Sequence, residues 1–248
     1  MKVRLDKLLV ERGLVASRER SQALILAGKV LVDEQKVDKA GTTVDVEAQV
    51  RLLESDLKYV SRGGLKLEKA LAHWKITVAG CICLDVGAST GGFTDCLLQH
   101  GARRVIAIDT GYGQIHMKLR QDARVRLLEK TNARYIKAED IGETIDLVVV
   151  DVSFISATLV LPAVIGAAFP PEKSRMGKQL IVLVKPQFEV GREQVGKGGI
   201  VRDGAAQMAA LEKVRKRVAG LGAEKLDSIE SPIQGAEGNR EFLLYATF

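Results

Sequence analysis

Apolar and polar positions divide the chain into two parts with different periodicities. In residues 1–58, leucines at helical spacing ahead of Gly13 predict a short first helix. A second helix is predicted to follow an N-cap at Ser17 and to run to Ala27, with Gly28 at the position of a C-cap glycine. Short alternating runs then predict small strands, so we expect this part to be a small α+β module.

From residue 80 onward, short apolar runs alternate with helical stretches. The runs that predict strands are residues 81–86, 105–108, 125–128, 145–150 and 180–184, with 229–231 and 242–248 as further candidates. The clearest helical stretch is 205–221. Helices that alternate with nearly continuous apolar strands predict an α/β domain, with a parallel sheet covered on both faces.

Composition narrows the class of protein without indicating a function. The chain has 248 residues, of which 46% are hydrophobic and 27% are charged. The length predicts one large domain, or one of about 180 residues with a small appendage. The balance excludes a disordered chain, a collagen-like repeat and a disulfide scaffold. Because aromatic residues make up only 4%, a stacking platform for single strands is not expected to be the main binding device.

The cysteines and the apolar stretches predict neither a metal site nor a membrane protein. Cys81, Cys83 and Cys96 form no C-x-x-C pair, and the first two alternate within an apolar run, so buried thiols are expected. The N-terminus lacks the apolar segment of a secretory signal. No stretch provides the about 20 mostly apolar residues that a bilayer span needs. We therefore expect a soluble cytoplasmic protein with no metal and no membrane partner.

The charge of the chain hints at a polyanionic partner. The formal net charge is +6, and the isoelectric point is about 9.2. Residues 1–58 hold 11 basic and 10 acidic side chains, whereas residues 59–248 hold 26 and 21. A nucleic-acid site in the first part would therefore be a local patch, for which Arg18, Arg20 and Lys29 are candidates.

Basic residues are concentrated in the joint between the two parts, which is predicted to span residues 59–79. Arg62, Lys66 and Lys69 are spaced to share one face of a helix, and Glu68 is the one acid of the joint. One interpretation is an ordinary solvated charged face. The near absence of compensating acids favours the other interpretation, a face that contacts phosphate.

The strongest local motif is the glycine-rich turn at residues 85–94, which follows a buried strand and opens a helix with free backbone N–H groups. A dinucleotide fingerprint needs glycine at position 89, and Ser89 there disfavours a pyrophosphate-binding dehydrogenase. Asp109 follows Gly92 by 17 residues, at the end of the second strand, where a carboxylate can accept both ribose hydroxyls of an adenosine. Asp85 and Asp109 around this turn suit S-adenosylmethionine, which has a ribose and an amino-acid tail but no phosphate.

Three more charged residues fall at or near predicted strand ends. Asp151 follows the fourth strand, Lys185 follows the fifth, and Glu241 lies near the C-terminus. Ligands of open α/β sheets bind outside the carboxyl ends of the strands. Any one of these residues could instead belong to a structural ion pair, and it is their common placement that favours a site.

These motifs resemble the TlyA-type ribosomal RNA 2′-O-methyltransferases, a family also labelled hemolysin A, over the whole chain. The first 58 residues resemble an S4 RNA-binding domain, and the rest resembles the FtsJ-like methyltransferase fold. The matching segments are 4–9, 27–30, 60–67, 87–94, 109–114, 151–156 and 185–189. The resemblance implies a Rossmann-like S-adenosylmethionine-dependent methyltransferase sheet with a small N-terminal α+β S4 domain. It also implies methylation of a ribose 2′-hydroxyl of ribosomal RNA, with a cytidine of the large subunit as the expected target.

The resemblance also implies the site residues. The family's Lys-Asp-Lys-Glu tetrad falls on Lys66, Asp151, Lys185 and Glu241, with Lys69 as the competitor for the first lysine. The expected cofactor contacts are Asp85, Gly87, Ser89, Gly91, Gly92, Phe93 and Asp109, with Asn132 added on the adenine side. The expected RNA contacts are Arg4, Lys7, Arg18, Arg20, Lys29, Arg62 and Lys69.

Roles within the tetrad follow from the expected reaction. Lys185 is expected to deprotonate or orient the hydroxyl, with Asp151 and Glu241 tuning this lysine. Lys66 is expected to hold the hydroxyl or the adjacent phosphate. Residues 187–203, which are rich in glycine, are predicted to form a loop that orders when RNA binds.

Two other classes of function are weighed against methyl transfer. One is a membrane-lytic protein, as the family's popular name implies, and the lack of a spanning segment or an export signal argues against it. The other is an RNA-binding or ribosome-assembly factor without catalysis, and the complete tetrad argues against that.

Overall fold

Two units make up the chain in the computed structural model. They are Met1–Lys58, the N-terminal unit, and Tyr59–Phe248, the C-terminal unit. The structure describes residues 2–15, 17–53, 58–170, 174–235 and 238–248.

The N-terminal unit is a small α+β fold, as predicted. Its elements are β1 (Lys2–Arg4), α1 (Leu5–Glu11), α2 (Arg18–Leu26), β2 (Val30–Val32), β3 (Gln35–Val37), β4 (Thr43–Asp45) and β5 (Val50–Leu52). Strand β1 pairs with β4, and β2 lies between β3 and β5. The helices bury Leu5, Leu9 and Ile25 against Val30 of β2, which forms the core of this unit.

The ends of α2 match the predicted caps. The Ser17 hydroxyl accepts the backbone N–H of Arg20 at 3.2 Å, which satisfies one of the free donors of the first turn. Gly28 follows the last turn at a φ of +64°, a conformation that a side chain disfavours. The two signals fix the beginning and the end of the helix.

The C-terminal unit is a seven-stranded sheet with helices on both faces. Its elements are α3 (Gly63–His73), β6 (Ile82–Val86), α4 (Gly92–Gln99), β7 (Arg104–Ile108), α5 (Met117–Arg120), β8 (Val125–Leu128), α6 (Ala138–Ile141), β9 (Leu147–Val150), α7 (Ala157–Ala168), β10 (Gln179–Val184), α8 (Pro186–Glu189), α9 (Gly204–Ala219), β11 (Lys225–Glu230) and β12 (Phe242–Thr247). The strand order is β11-β12-β10-β9-β6-β7-β8.

Burial on both faces explains why the strands read as continuous apolar runs. On one face, Leu84 of β6 packs in a layer with Val160 of α7 and Val214 of α9. On the other face, Cys83 packs in a layer with Leu97 of α4. Alternate residues of one strand therefore serve two apolar layers.

The predicted parallel strands are present, and the two candidate strands near the C-terminus add an edge with antiparallel pairing. Strands β10, β9, β6, β7 and β8 are parallel, but β12 runs antiparallel to both β10 and β11. Strands β11 and β12 follow one another without a crossover helix in the described residues. Such a short connection permits antiparallel pairing, whereas parallel pairing needs a longer crossover.

The topology places a crevice at the centre of the sheet. Strand β6 is flanked by β7 on one side and β9 on the other, so the strand order reverses between β6 and β9. The connections that leave their carboxyl ends therefore diverge to opposite sides. The turn after β6 carries Gly87, Ser89 and Gly91 of the predicted site, and the loop after β9 carries Asp151.

Candidate functional site

Glycines shape the turn between β6 and α4 where a side chain would not fit. Gly87 has a φ of +87°, and a Cβ on it would lie 2.5 Å from the carbonyl oxygen of Asp151. A Cβ on Gly92 would lie 2.2 Å from Oγ of Ser61. The turn thus lies in direct backbone contact with the loop after β9, and Ser89 within it adopts a φ of +49°.

Asp109 holds this turn from the end of the neighbouring strand. One carboxylate oxygen accepts the backbone N–H of Ser89 at 2.7 Å, and the other accepts that of Gly111 at 2.7 Å. Each carboxylate oxygen has a further lone pair. Asp109 can therefore order the turn and still accept a hydroxyl from a ligand.

A cavity of about 500 Å³ opens beside these groups, and we call it the sheet-edge cavity. Among the predicted cofactor contacts, it is lined by Gly87, Ser89, Asp109 and Asn132. Ile108 and Val160 add apolar walls. A cavity of this size, apolar with a few polar groups, is typical of a cofactor site. The apolar walls suit an adenine and Asp109 suits its ribose, so the residues fit S-adenosylmethionine.

The four tetrad residues line a second, adjoining cavity of about 380 Å³, which we call the tetrad cavity. It shares Gly87, Ser89, Asp151 and Ser153 with the sheet-edge cavity as a common wall. Gly92 and Phe93 also line it. A group bound in one cavity therefore comes close to a group bound in the other.

The tetrad consists of two separate ion pairs. Nζ of Lys66 lies 2.5 Å from Oε2 of Glu241, and Nζ of Lys185 lies 2.6 Å from Oδ1 of Asp151. Lys66 and Glu241 are buried, and Asp151 and Lys185 are half-buried. Two lysines and two carboxylates make the tetrad close to neutral, which lowers the cost of burying the charges.

The pairing differs from the one expected for Glu241. We expected this carboxylate to tune Lys185, but it contacts Lys66, which α3 brings next to the start of β12. The competitor Lys69 is exposed and does not line the tetrad cavity. Of the two candidates for the first position of the tetrad, Lys66 is therefore the one that lines the cavity, and each carboxylate contacts a different lysine.

Two expected cofactor contacts lie elsewhere. Asp85 is fully buried on the sheet face covered by α4, where the Thr94 hydroxyl donates to it at 2.6 Å, and it lines neither cavity. Burial raises the pKa of Asp85 to about 7. Gly91, at a φ of +96°, also lines neither cavity, and a Cβ on it would meet Leu119 at 2.3 Å. Both residues therefore contribute to the shape of the turn without lining either cavity.

Two residues of the site were missed in the sequence. The Ser153 hydroxyl accepts a hydrogen bond from Nζ of Lys185 at 2.7 Å. Phe154 is 92% exposed, has a φ of +64°, and lies with its ring centroid 5.4 Å from that of Phe188. They lie two and three residues after Asp151, within the segment 151–156 that resembles the family, but no role was predicted for either of them.

Two of the predicted RNA contacts of the N-terminal unit, Arg4 and Arg18, flank a buried carboxylate. Asp6 has no exposed surface and accepts hydrogen bonds from Arg4, Arg18 and Gln22, at 2.9–3.0 Å. Its hydrogen bonds with Arg4, Gln22 and Arg18 hold the pKa of Asp6 well below its usual range. The two arginines remain about half exposed, so two cationic groups are presented with a single carboxylate between them.

The other basic residues have mixed surroundings. Lys7 is exposed, and Arg20 and Lys29 are half-buried. In the C-terminal unit, Arg62 and Lys69 are exposed and Lys66 is buried, so Lys66 is not part of an exposed surface with the other two. Arg62 precedes α3 and lines the tetrad cavity.

The three cysteines form no disulfide among themselves. Cys83 and Cys96 are buried and Cys81 is half-buried, all as free thiols. Within the described ranges, no group of His, Cys, Asp and Glu side chains is arranged to hold a metal ion. No helix formed by the described residues has the length and apolar character needed to cross a bilayer.

Comparisons with known proteins divide the chain at a similar place. The FtsJ-like methyltransferase family matches residues 59–248, and the S4 domain family matches residues 3–50. The 16S/23S rRNA (cytidine-2′-O)-methyltransferase TlyA of Mycobacterium tuberculosis is 46% identical over 245 residues, which cover 98% of this chain and 89% of that protein. Hemolysin A of Brachyspira hyodysenteriae is 41% identical over 244 residues, covering 98% and 99%. A solved Streptococcus thermophilus structure that carries a hemolysin name matches with a TM-score of 0.72 and 43% identity, covering 99% and 88%.

Proposed function

Because this chain belongs to the FtsJ-like methyltransferase family, we propose that it methylates a ribose 2′-hydroxyl of ribosomal RNA with S-adenosylmethionine as the methyl donor. The observation that carries the proposal is the paired Lys-Asp and Lys-Glu tetrad beside the sheet-edge cavity. The TlyA relative is named for a cytidine 2′-O-methyltransferase of 16S and 23S rRNA, which supports the same substrate class here.

The chemistry needs a positioned hydroxyl more than a strong base. When bound, S-adenosylmethionine supplies a methyl carbon whose bond to sulfur breaks, leaving its electron pair on sulfur, as the bond to the ribose oxygen forms. The hydroxyl proton leaves to Lys185 where Lys185 is a neutral amine, or to water where Lys185 is an ammonium that orients the oxygen. Holding the oxygen in line with the methyl carbon supplies much of the rate.

Lys185 is the group best placed to hold that oxygen. An ammonium has three N–H donors, and within the described part of the chain Nζ of Lys185 donates to the Ser153 hydroxyl and lies 2.6 Å from Oδ1 of Asp151 in an ion pair. The ammonium therefore keeps a donor for the ribose oxygen. Lys66, paired with Glu241, lines the same cavity, where it can contact the hydroxyl or the adjacent phosphate.

The N-terminal unit would add affinity through phosphate contacts. The S4 match covers residues 3–50, and Arg4 and Arg18 present half-exposed guanidinium groups there. Phosphate contacts fix register and carry little sequence information. The choice of nucleotide is then expected to depend on the shape of the rRNA around the target.

The test is methyl transfer with labelled S-adenosylmethionine and purified ribosomal subunits, followed by mapping of the modified nucleotide. Label on a ribose 2′-oxygen of rRNA is the expected result. Label on a base, on protein or nowhere would overturn the proposal. If RNA binds without any label, the chain acts instead as an RNA-binding assembly factor.

A variant of Lys185 tests the assigned role. Lys185→Ala should lower kcat by about 10²-fold or more, because the positioned donor is lost, while labelled S-adenosylmethionine still binds in equilibrium dialysis. Lys178→Ala is the matched control, since Lys178 forms a similar ion pair with Asp146 at the amino ends of the strands. A Lys185→Ala protein that methylates at the wild-type rate would remove Lys185 from the mechanism.

A further inference from the structure

Two loops that carry tetrad residues run side by side beyond β9 and β10, and three sets of contacts join them. Lys185 contacts Asp151 and Ser153, the Phe188 ring contacts that of Phe154, and Glu189 contacts Ser156 and Ala157. We propose that Glu189 is a positioning residue for methyl transfer. It holds the loop after β9, and Asp151 within that loop, at a fixed position relative to Lys185. This inference rests on the proposed function.

Glu189 is anchored at the beginning of α7. Its side chain is 2% exposed. Oε2 accepts the Ser156 hydroxyl at 2.5 Å, and Oε1 accepts the backbone N–H of Ala157 at 2.6 Å. The first N–H groups of a helix have no partner within the helix, and a carboxylate placed there is favoured by both hydrogen bonding and the helix dipole.

Helix α9 also contacts Glu189. Nζ of Lys213, on α9, donates to the backbone oxygen of Glu189 at 2.6 Å and lies 3.3 Å from its Oε2. The carboxylate therefore ties α7 to α8, while the same lysine ties α8 to α9. Its buried charge is matched by hydrogen bonds and by one cation, as a buried carboxylate requires.

This anchor bears on the tetrad because the loop after β9 has little structure of its own. Between Asp151 and the start of α7, the chain adopts no helix or strand, and Phe154 has a φ of +64°. Its path is therefore set by β9 at one end and by the start of α7 at the other. Glu189 fixes that second end to α8, whose N-cap is Lys185.

The conservative variant gives the first measurement. Glu189→Gln keeps the shape of the side chain and an acceptor for one N–H, but loses the charge. We expect kcat to fall by about tenfold in Glu189→Gln and by about 10²-fold in Glu189→Ala, since displacement by about 1 Å can cost that much. If the alanine variant fails to fold, the glutamine variant decides. A glutamine variant with kcat within twofold of wild type would overturn the proposal.

A double-mutant cycle separates positioning from a purely structural role. If Glu189 acts through Lys185, then Glu189→Gln should cost less than about twofold when Lys185 is already alanine, because interacting residues are not additive. An equal loss in both backgrounds would overturn the proposal. Single-turnover methylation measures both backgrounds, and its failure in the wild-type protein would overturn the proposed function instead.

Asp146→Asn provides the matched control. Asp146 also accepts a backbone N–H, from Ile82 at 2.9 Å, and a lysine ammonium, from Lys178 at 2.9 Å, but at the start of β9. We expect its kcat to stay within about twofold of wild type at full folding, since additivity holds for distant sites. If Asp146→Asn loses as much kcat as Glu189→Gln, general loosening of the fold explains the result and the proposal fails.

Discussion

Asp85 shows that a residue type and its place in the sequence can indicate one role while its position in the fold gives it another. An acid at the end of the first strand pointed to a cofactor contact, yet the alternation of side chains along β6 directs it under α4, to the hydroxyl of Thr94. With 0% of its surface exposed, the carboxyl loses the hydration that stabilises its charge, and nearby Asp151 and Asp109 add repulsion. Its pKa therefore rises to about 7 from an ordinary value of 3.8.

That pKa predicts a pH-dependent stability. Because the folded protein holds this proton between about pH 4 and pH 7 and the unfolded chain releases it, the free energy of unfolding should fall as pH rises through that window. Asp85→Asn removes the titration, so the stability of this variant relative to wild type should increase from pH 4.5 to pH 7.5, roughly the span of this window.

Denaturant unfolding followed by fluorescence measures this effect. Trp74, the single tryptophan of the chain, lies in the C-terminal unit and reports its unfolding. Asp122→Asn, at an exposed ion pair with Arg124, supplies the comparison at a carboxyl whose pKa is lowered by that arginine. If the stability difference between Asp85→Asn and wild type stays constant over this range, Asp85 does not titrate as described.

Residue types at strand ends were readable from the sequence, but their pairings were not. Asp151 and Lys185 each follow an apolar run whose pattern predicts a strand. The contact between Lys66 and Glu241 joins positions 175 residues apart, and it depends on α3 packing beside β12. No local pattern carries that information, so the sequence did not predict that Glu241 pairs with Lys66.

At the scale of elements, the glycine-rich turn is a unit whose shape depends on backbone contact. The strand before it and the helix after it were predictable because apolar periodicity and a turn signal coincide there. The contact of Gly87 with the backbone of Asp151 was not predictable, since it depends on β9 lying next to β6. The short helix α8 was missed for a similar reason: it begins with Pro186 inside a glycine-rich stretch that reads as a loop.

Gly80, which precedes β6, and Gly87, in the glycine-rich turn, together distinguish the effect of backbone strain from the effect of a close backbone contact. Gly80 and Gly87 have similar positive φ values of +79° and +87°, but a Cβ on Gly80 meets nothing within 4 Å. Gly80→Ala should therefore lower the free energy of unfolding by about 1–2 kcal/mol through backbone strain alone. Gly87→Ala should lose this amount and also displace Asp151, with kcat falling by at least about tenfold.

Unfolding by denaturant and steady-state methylation, measured on both variants, check this prediction. Equal kcat in Gly80→Ala and Gly87→Ala would show that the close approach of Gly87 to Asp151 does not matter for the reaction.

At the scale of the whole chain, the excess of basic residues does not lie in the unit that matches an RNA-binding domain. The N-terminal unit has the S4 match, yet residues 1–58 carry 11 basic and 10 acidic side chains, and one of those acids, Asp6, lies between two of its arginines. The excess of basic residues lies in the C-terminal unit. RNA affinity should therefore come from exposed cations of both units rather than from the N-terminal unit alone.

Lys7 and Lys69 provide that test, because both are exposed and they belong to different units. Each of Lys7→Gln and Lys69→Gln should weaken rRNA binding and reduce the slope of log Kd against log salt by roughly one, as expected for one lost phosphate contact. The double variant should reduce it by roughly two, while kcat at saturating RNA stays unchanged. Lys225→Gln, at the amino end of β11, removes the same charge away from the site and should leave the slope as it is. If only Lys7→Gln changes the slope, the N-terminal unit alone binds the phosphates, and the basic excess of the C-terminal unit has another purpose.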